Sequence, residues 1–199
     1  MFLLACGAAV LLPKLRSRDV HAASTAGPAY DKNGDLLLPP DYREWVYLSS
    51  GLDMSYNQKS SESMEVFDNV FVDPQAYAKF AATGKWPDKT MLVLEAREAK
   101  SKGSINLHGH FQGAGIMGIE VHVKDESRFP GGWAFFDFDS PTVHGTLIPQ
   151  KAPCYSCHAA HAAVDTTFVQ FYPPLLPIAQ KNGTLSEAFV KESAEPAGK

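Results

Sequence analysis

Cysteine is scarce in this chain: three in 199 residues, at positions 6, 154 and 157. Beyond the apolar N-terminal run that holds Cys6, only one pair remains. A Cys-rich zinc ribbon is therefore excluded, because it needs a second ligand pair at similar spacing. An excess of positive charge is missing too. Lys and Arg number 18 against 22 Asp and Glu, for a net charge of −4. No basic patch stands out, which argues against nucleic acid as a partner. No apolar run reaches the ~20 residues of a bilayer-spanning helix, and no internal repeat is visible. What is present is 45% hydrophobic and 20% charged residues, enough for a real core in one domain.

The surviving pair lies in Cys154-Tyr155-Ser156-Cys157-His158. This is C-x-x-C-H, the attachment spacing of a c-type haem. Two thiols with two residues between them reach the two vinyl groups of one haem and form thioethers. The adjacent histidine is then held under the iron as proximal ligand. From the Cys and His content, chance would give roughly 0.002 such matches. A thioredoxin-like pair gives no reason for the following histidine. The expectation is one covalent haem c, with thiol redox chemistry and zinc as minor alternatives. His158 should donate its second ring nitrogen to a carbonyl or carboxylate.

Phe2 to Leu12 is apolar and about as long as a signal-peptide core, and Val20-His21-Ala22 resembles a small-x-small cleavage site. The charges Lys14, Arg16 and Arg18 follow the apolar run rather than precede it, so residues 1–22 read as an atypical or mis-started export signal. Cleavage after Ala22 would leave 15 Lys and Arg against 21 Asp and Glu, a net charge of −6. No cysteine would then remain for a structural disulfide.

Residues 23–35 are small and polar and read as a linker, with the haem domain over 36–192 and a frayed tail at 193–199. Residues 51–63 are Ser-rich and suggest an exposed loop. Val66 to Val72 alternates and is rich in β-branched residues, as a strand is. Asp73-Pro74 starts a helix, with Asp as N-cap and Pro in its first turn, and Gly84 ends it. Thr90 to Glu95, Ile105 to Phe111, Ile116 to Val123 and Trp133 to Phe138 read as further strands. Cys154 to Ala163 has helical composition, and Pro173, Pro174 and Pro177 break up the segment after Phe171. The layout is α+β, an antiparallel sheet with a few helices and one haem c held by the C-terminal C-x-x-C-H helix.

Further segments accompany the haem motif in order: Tyr42-Arg43-Glu44-Trp45-Val46, Val70-Phe71-Val72-Asp73-Pro74 with Tyr77, Lys124-Asp125, Arg128-Phe129, Trp133-Ala134-Phe135 and Phe171-Tyr172-Pro173. From about residue 35 to 178 the chain resembles the cytochrome P-460 family, which also holds the cytochromes c′-beta. The resemblance implies a small periplasmic haem c protein, usually a homodimer, with an antiparallel sheet over one haem face. It implies His158 as proximal ligand and a distal iron position that is open or weakly occupied. The cytochromes P-460 oxidise hydroxylamine, bind nitric oxide and carry a strand lysine cross-linked to the haem edge. The cytochromes c′-beta lack that bond and bind nitric oxide or carbon monoxide in an apolar pocket.

Aligned without gaps from Gly84, the cross-linking position falls on Leu94, which cannot make that bond. Lys89 lies an odd number of residues away, on the other face of a strand, and Lys100 would sit about 20 Å further on at ~3.3 Å per residue. A family arginine on the preceding strand is replaced by Asp68. Leu94 then faces the iron, Leu92 shares its face, and Val66 and Asp68 approach from the neighbouring strand. The alternative for both leucines is ordinary core. Asp68 and Glu120 are candidate catalytic proton groups, because a carboxylate near a low-dielectric pocket has a raised pKa; the bland reading of each is a solvated residue. His108, His110, His122, His144 and His161 are alternative ligands, each more often a lone surface histidine. Met64, Met91 and Met117 could cap the iron but more often fill cores. Phe171 and Tyr172 are candidates to pack against the haem.

The leading expectation is a periplasmic mono-haem c cytochrome that binds nitric oxide, carbon monoxide or related small ligands and exchanges one electron with a redox partner protein. The first alternative is a haem-dependent oxidoreductase acting on hydroxylamine. The second is a six-coordinate electron carrier.

Overall fold

The computed structural model describes residues 27–54, 65–139 and 143–194. Among these, one seven-stranded antiparallel sheet and four α-helices make an α+β fold. The strands are β1 (Leu36–Leu37), β2 (Val46–Leu52), β3 (Val66–Val72), β4 (Met91–Lys100), β5 (Phe111–Lys124), β6 (Trp133–Phe138) and β7 (His144–Leu147). Their order across the sheet is β1-β7-β6-β5-β4-β3-β2. The helices are α1 (Pro74–Thr83), α2 (Pro153–His161), α3 (Leu176–Asn182) and α4 (Glu187–Ala194).

Helix α1 forms where its signals lie. Asp73 accepts a hydrogen bond from Ala76 N at 2.8 Å and a second from Met91 N at 3.1 Å, so the cap also ties the helix to β4. Gly84 closes the helix at φ 70°, a left-handed geometry open to glycine. Phe80, fully buried, packs against Trp86 with ring centroids 4.2 Å apart.

Alternation along the strands divides the core. Val72, Leu92 and Trp133 face the helices, joined by Phe80, Val164, Val169, Leu175 and Ala179. Met91, Val93, Val121, Val123, Phe136 and Phe138 face the other way, under Leu36, Tyr42 and Trp45. Glu95 lies on that second side, 2% exposed. It accepts hydrogen bonds from Tyr42, Arg43 and Arg97. Burial alone would raise the Glu95 pKa, but the hydrogen bonds from Tyr42, Arg97 and Arg43 bring it below the usual range.

Three expectations change. Residues 105–110 form no strand. They belong to a turn region pinned by Asn106, whose side chain donates to Ser101 O at 2.8 Å and Gly109 O at 3.2 Å. Ile105 and Leu107 are almost wholly exposed there, and β5 begins only at Phe111, earlier than the expected Ile116. The prolines after Phe171 do not prevent helix. Pro177 lies in the first turn of α3, where a missing N–H leaves no bond unmade. Helix α4 reaches Ala194, inside the stretch expected to begin fraying at 193.

Within the stretch read as linker, Tyr30 lies against Phe136 and Phe129, with the Arg128 guanidinium 3.9 Å from its ring. The expected export signal, and all but residues 51–54 of the Ser-rich loop, lie outside the described residues.

Candidate functional site

Helix α2 presents Cys154, Cys157 and His158 within little more than one turn, the spacing that puts side chains on a shared face. Both cysteines are partly exposed, and neither is paired in a disulfide. None of the residues of α2 is fully buried. Tyr155 anchors the helix instead: its hydroxyl donates to Ile148 O at 2.9 Å and accepts from Phe135 N, on β6, at 3.2 Å.

His158 turns inward. Its Nδ1 lies 2.7 Å from the carbonyl of Thr166, which places the proton on Nδ1 and leaves the lone pair on Nε2. The ring packs between Phe168 at 4.2 Å and Phe135 at 4.5 Å. Burial lowers its pKa, against the opposing Thr166 hydrogen bond. The imidazole is therefore neutral at pH 7, the form that ligates a metal.

Facing His158 is a cavity of about 150 Å³ whose sheet side includes Val70, Leu92, Leu94, Glu120 and Phe135. Register explains the grouping. Val70 pairs with Leu94, Leu94 with Glu120, and Glu120 with Asp137, one row across four strands. The next row is Val72, Leu92, His122 and Phe135. Leu94 and Glu120 also border a second cavity of about 450 Å³, which Val66, Asp68, Met117 and Asp137 line. Val66, Asp68, Leu94 and Glu120 thus all line this larger cavity. Of the four, only Leu94 and Glu120 also line the smaller one with His158.

The two carboxylates sit in an acidic, partly dry setting. The walls around Glu120 strip away part of its hydration although the side chain still meets solvent, and Asp137 and Asp68 add negative charge; its pKa is raised. Asp68 is raised for the same first reason, with Asp53 as the charged neighbour. Either can hold a proton at a higher pH than a solvated acid.

Other candidates fall elsewhere. Met91 lies in the core on the opposite side of the sheet, Met117 is mostly exposed at the larger cavity, and Met64 lies outside the described residues. His108 and His110 are in the exposed turn region rather than on a strand face. His144 pairs with Asp31 and His161 with Glu192 at the surface. Phe168 packs on His158, whereas Phe171 is 41% exposed; Tyr172 lines the smaller cavity. Phe168 and Thr166 carry no signal in the sequence. His122, expected as an alternative ligand or a surface histidine, is instead buried and lines the smaller cavity; its shared parity with Glu120 could have placed it there.

The residues present fit a c-type haem. Two accessible thiols stand one helical turn apart, and an oriented neutral imidazole adjoins them. A cavity of about 150 Å³ lies against the imidazole, and Leu94 and Glu120 also line a second one of about 450 Å³, within the roughly 300–1,000 Å³ typical of cofactor sites. Among the described residues no cluster of three or more His, Cys, Asp or Glu side chains is arranged to hold a bare metal ion.

Compared with known proteins, residues 39–169 match a family model described as Cytochrome P460. The match runs from the turn before β2 through the whole of α2. No curated protein matches the chain.

Proposed function

Because the chain belongs to the cytochrome P460 family and is thus a haem-binding cytochrome, we propose that it is an exported mono-haem c protein with an open distal site for nitric oxide or a related small ligand. Cys154 and Cys157 hold the haem covalently, and His158 Nε2 is the proximal ligand. When bound, the haem supplies an iron that takes a diatomic ligand and exchanges one electron. The residues supply position and surroundings. Thr166 fixes the His158 tautomer. Leu94 and Val70 give an apolar wall without a metal ligand, and Glu120 supplies a proton site at its border.

Leu94 carries the reading. At the position where the family's cross-linking lysine is expected, the chain has an aliphatic side chain that points into the cavity. The two candidate substitutes are engaged elsewhere: the Lys89 ammonium pairs with Asp125, and that of Lys100 lies 3.3 Å from Glu98. The test is the visible spectrum of haem-loaded protein, ferric and ferrous, with and without carbon monoxide. An ordinary haem c Soret band that shifts with carbon monoxide is expected. A strongly red-shifted ferrous band would overturn the reading.

Hydroxylamine oxidation is the second reading, favoured by two protonatable carboxylates, Glu120 and Asp68, at the cavity border. Reduction of an electron acceptor by hydroxylamine above a free-haem control would support it. The six-coordinate carrier loses support with Met91 on the far side of the sheet; a reduced protein that fails to bind carbon monoxide would restore it. A periplasmic homodimer completes the proposal, to be checked by fractionation and sedimentation.

A further inference from the structure

His122 has no part in the function proposed above, yet its setting is specific. It is 9% exposed on β5. Its ring stacks on Phe135 at 4.0 Å with 14° between the planes and meets Trp133 at 4.4 Å. It stands edge-on to His158 at 5.3 Å. A polar ring among aromatics is costly to bury without a hydrogen bond. Here Nε2 lies 3.2 Å from Thr166 Oγ1, and the carbonyl of the same threonine takes the His158 Nδ1 proton at 2.7 Å. One residue thus joins two imidazoles, by its side chain to His122 and by its main chain to His158.

The turn bearing Thr166 is itself constrained. Asp165 sits at φ 51°, Val164 and Thr167 bridge each other, and the Thr167 hydroxyl accepts from Trp86 Nε1 at 2.8 Å. The side-chain bond to His122 adds the contact on the haem-facing side of the sheet.

Resting on the reading of His158 as proximal ligand, we propose that His122 is a positioning residue. Through Thr166 it fixes the carbonyl that holds His158 Nδ1, and so sets the strength of the bond from His158 Nε2 to the haem iron. A firm Nδ1–H···O bond makes the imidazole a stronger donor, and outer partners of this kind tune metal sites.

Two variants test it in haem-loaded protein. His122→Phe keeps the stacking on Phe135 and loses the hydrogen bond. Thr166→Val keeps the branched shape and the carbonyl and loses only the hydroxyl. The readouts are the ferrous iron–histidine stretch in the resonance Raman spectrum and the midpoint potential. Covalent haem content is measured alongside. Both variants should move the stretch to lower frequency and raise the midpoint potential, since a weaker imidazole donor stabilises ferric iron less. The double variant should go no further than either single one, as for residues acting in one chain. If His122→Phe does not fold, Thr166→Val decides alone, since every aromatic contact remains. An unmoved stretch and potential in Thr166→Val with haem in place would overturn the proposal. If the parent protein shows no covalent haem or no iron–histidine stretch, the proximal reading fails and takes this proposal with it.

Discussion

Glu95 and Glu120 are neighbours in number of strands but opposites in environment, and protonation separates them. Glu95 is held ionised by Tyr42, Arg43 and Arg97. Its folded-state pKa lies below the ordinary 4.5, so its contribution is present above that value and lost as pH falls through the folded one. Glu95→Ala should destabilise by about 1–3 kcal/mol at neutral pH. Arg43 is half-exposed and can return to water, whereas the buried Tyr42 hydroxyl loses its acceptor. Urea unfolding at neutral and acid pH checks this, and the difference from the parent should shrink in acid. Glu120 has the opposite sign. Its folded pKa lies above 4.5, so the folded state binds the proton more tightly. The stabilisation is full below 4.5 and is lost as pH rises towards the folded value. Glu120→Gln should therefore raise the melting temperature at pH 7 and leave it unchanged well below 4.5. The pairing of Cys154 and Cys157 with an inward-turned His158 on one helix was legible at this scale because the three lie within five residues of sequence. Thr166 was not, because its role lies in a carbonyl that every residue has.

At the scale of elements, α1 was readable from Asp73, Pro74 and Gly84, three residues whose preferences agree. Asp73→Ala removes acceptors for both Ala76 N and Met91 N. The loss should reach about 2 kcal/mol, the upper end for N-caps, measured by denaturant unfolding. Strand β7 offers the converse test. A methyl added to Gly145 would run into the ring of Phe138, whose side chain is 1% exposed. Gly145→Ala should cost about 1–3 kcal/mol through overpacking, read from the same curves. Residues 105–110 misled because alternation of apolar and polar residues is the mark of a strand, and only the Asn106 side-chain bonds reveal the turn. The prolines misled in the other direction, since a proline breaks a helix in its middle and suits its first turn.

For the molecule as a whole, class and sheet type were legible because short apolar, β-branched or aromatic-rich runs recur in β3, β4 and β6, while only α1 and the segment from Cys154 carry helical signals. The order of the strands was not. A sheet in which β2 to β7 follow one another as neighbours leaves no trace in composition, and neither does the pairing of β1 with β7. The grouping of Val66, Asp68, Leu94 and Glu120 around one cavity follows from register, which parity suggested and the pairing Val70–Leu94–Glu120–Asp137 fixes.

That strand order has a consequence in time. Strands β2 to β7 can zip hairpin by hairpin, each closure drawing on nearby chain and so cheap in entropy. The remaining pairing, Leu36 with Gly145 and Leu37 with His144, joins the two ends of the sheet's sequence and has to wait for the rest. The amides of β1 should be the last to gain protection from hydrogen exchange during refolding and the first in the sheet to lose it, so that the strand opening the domain is the latch that closes it.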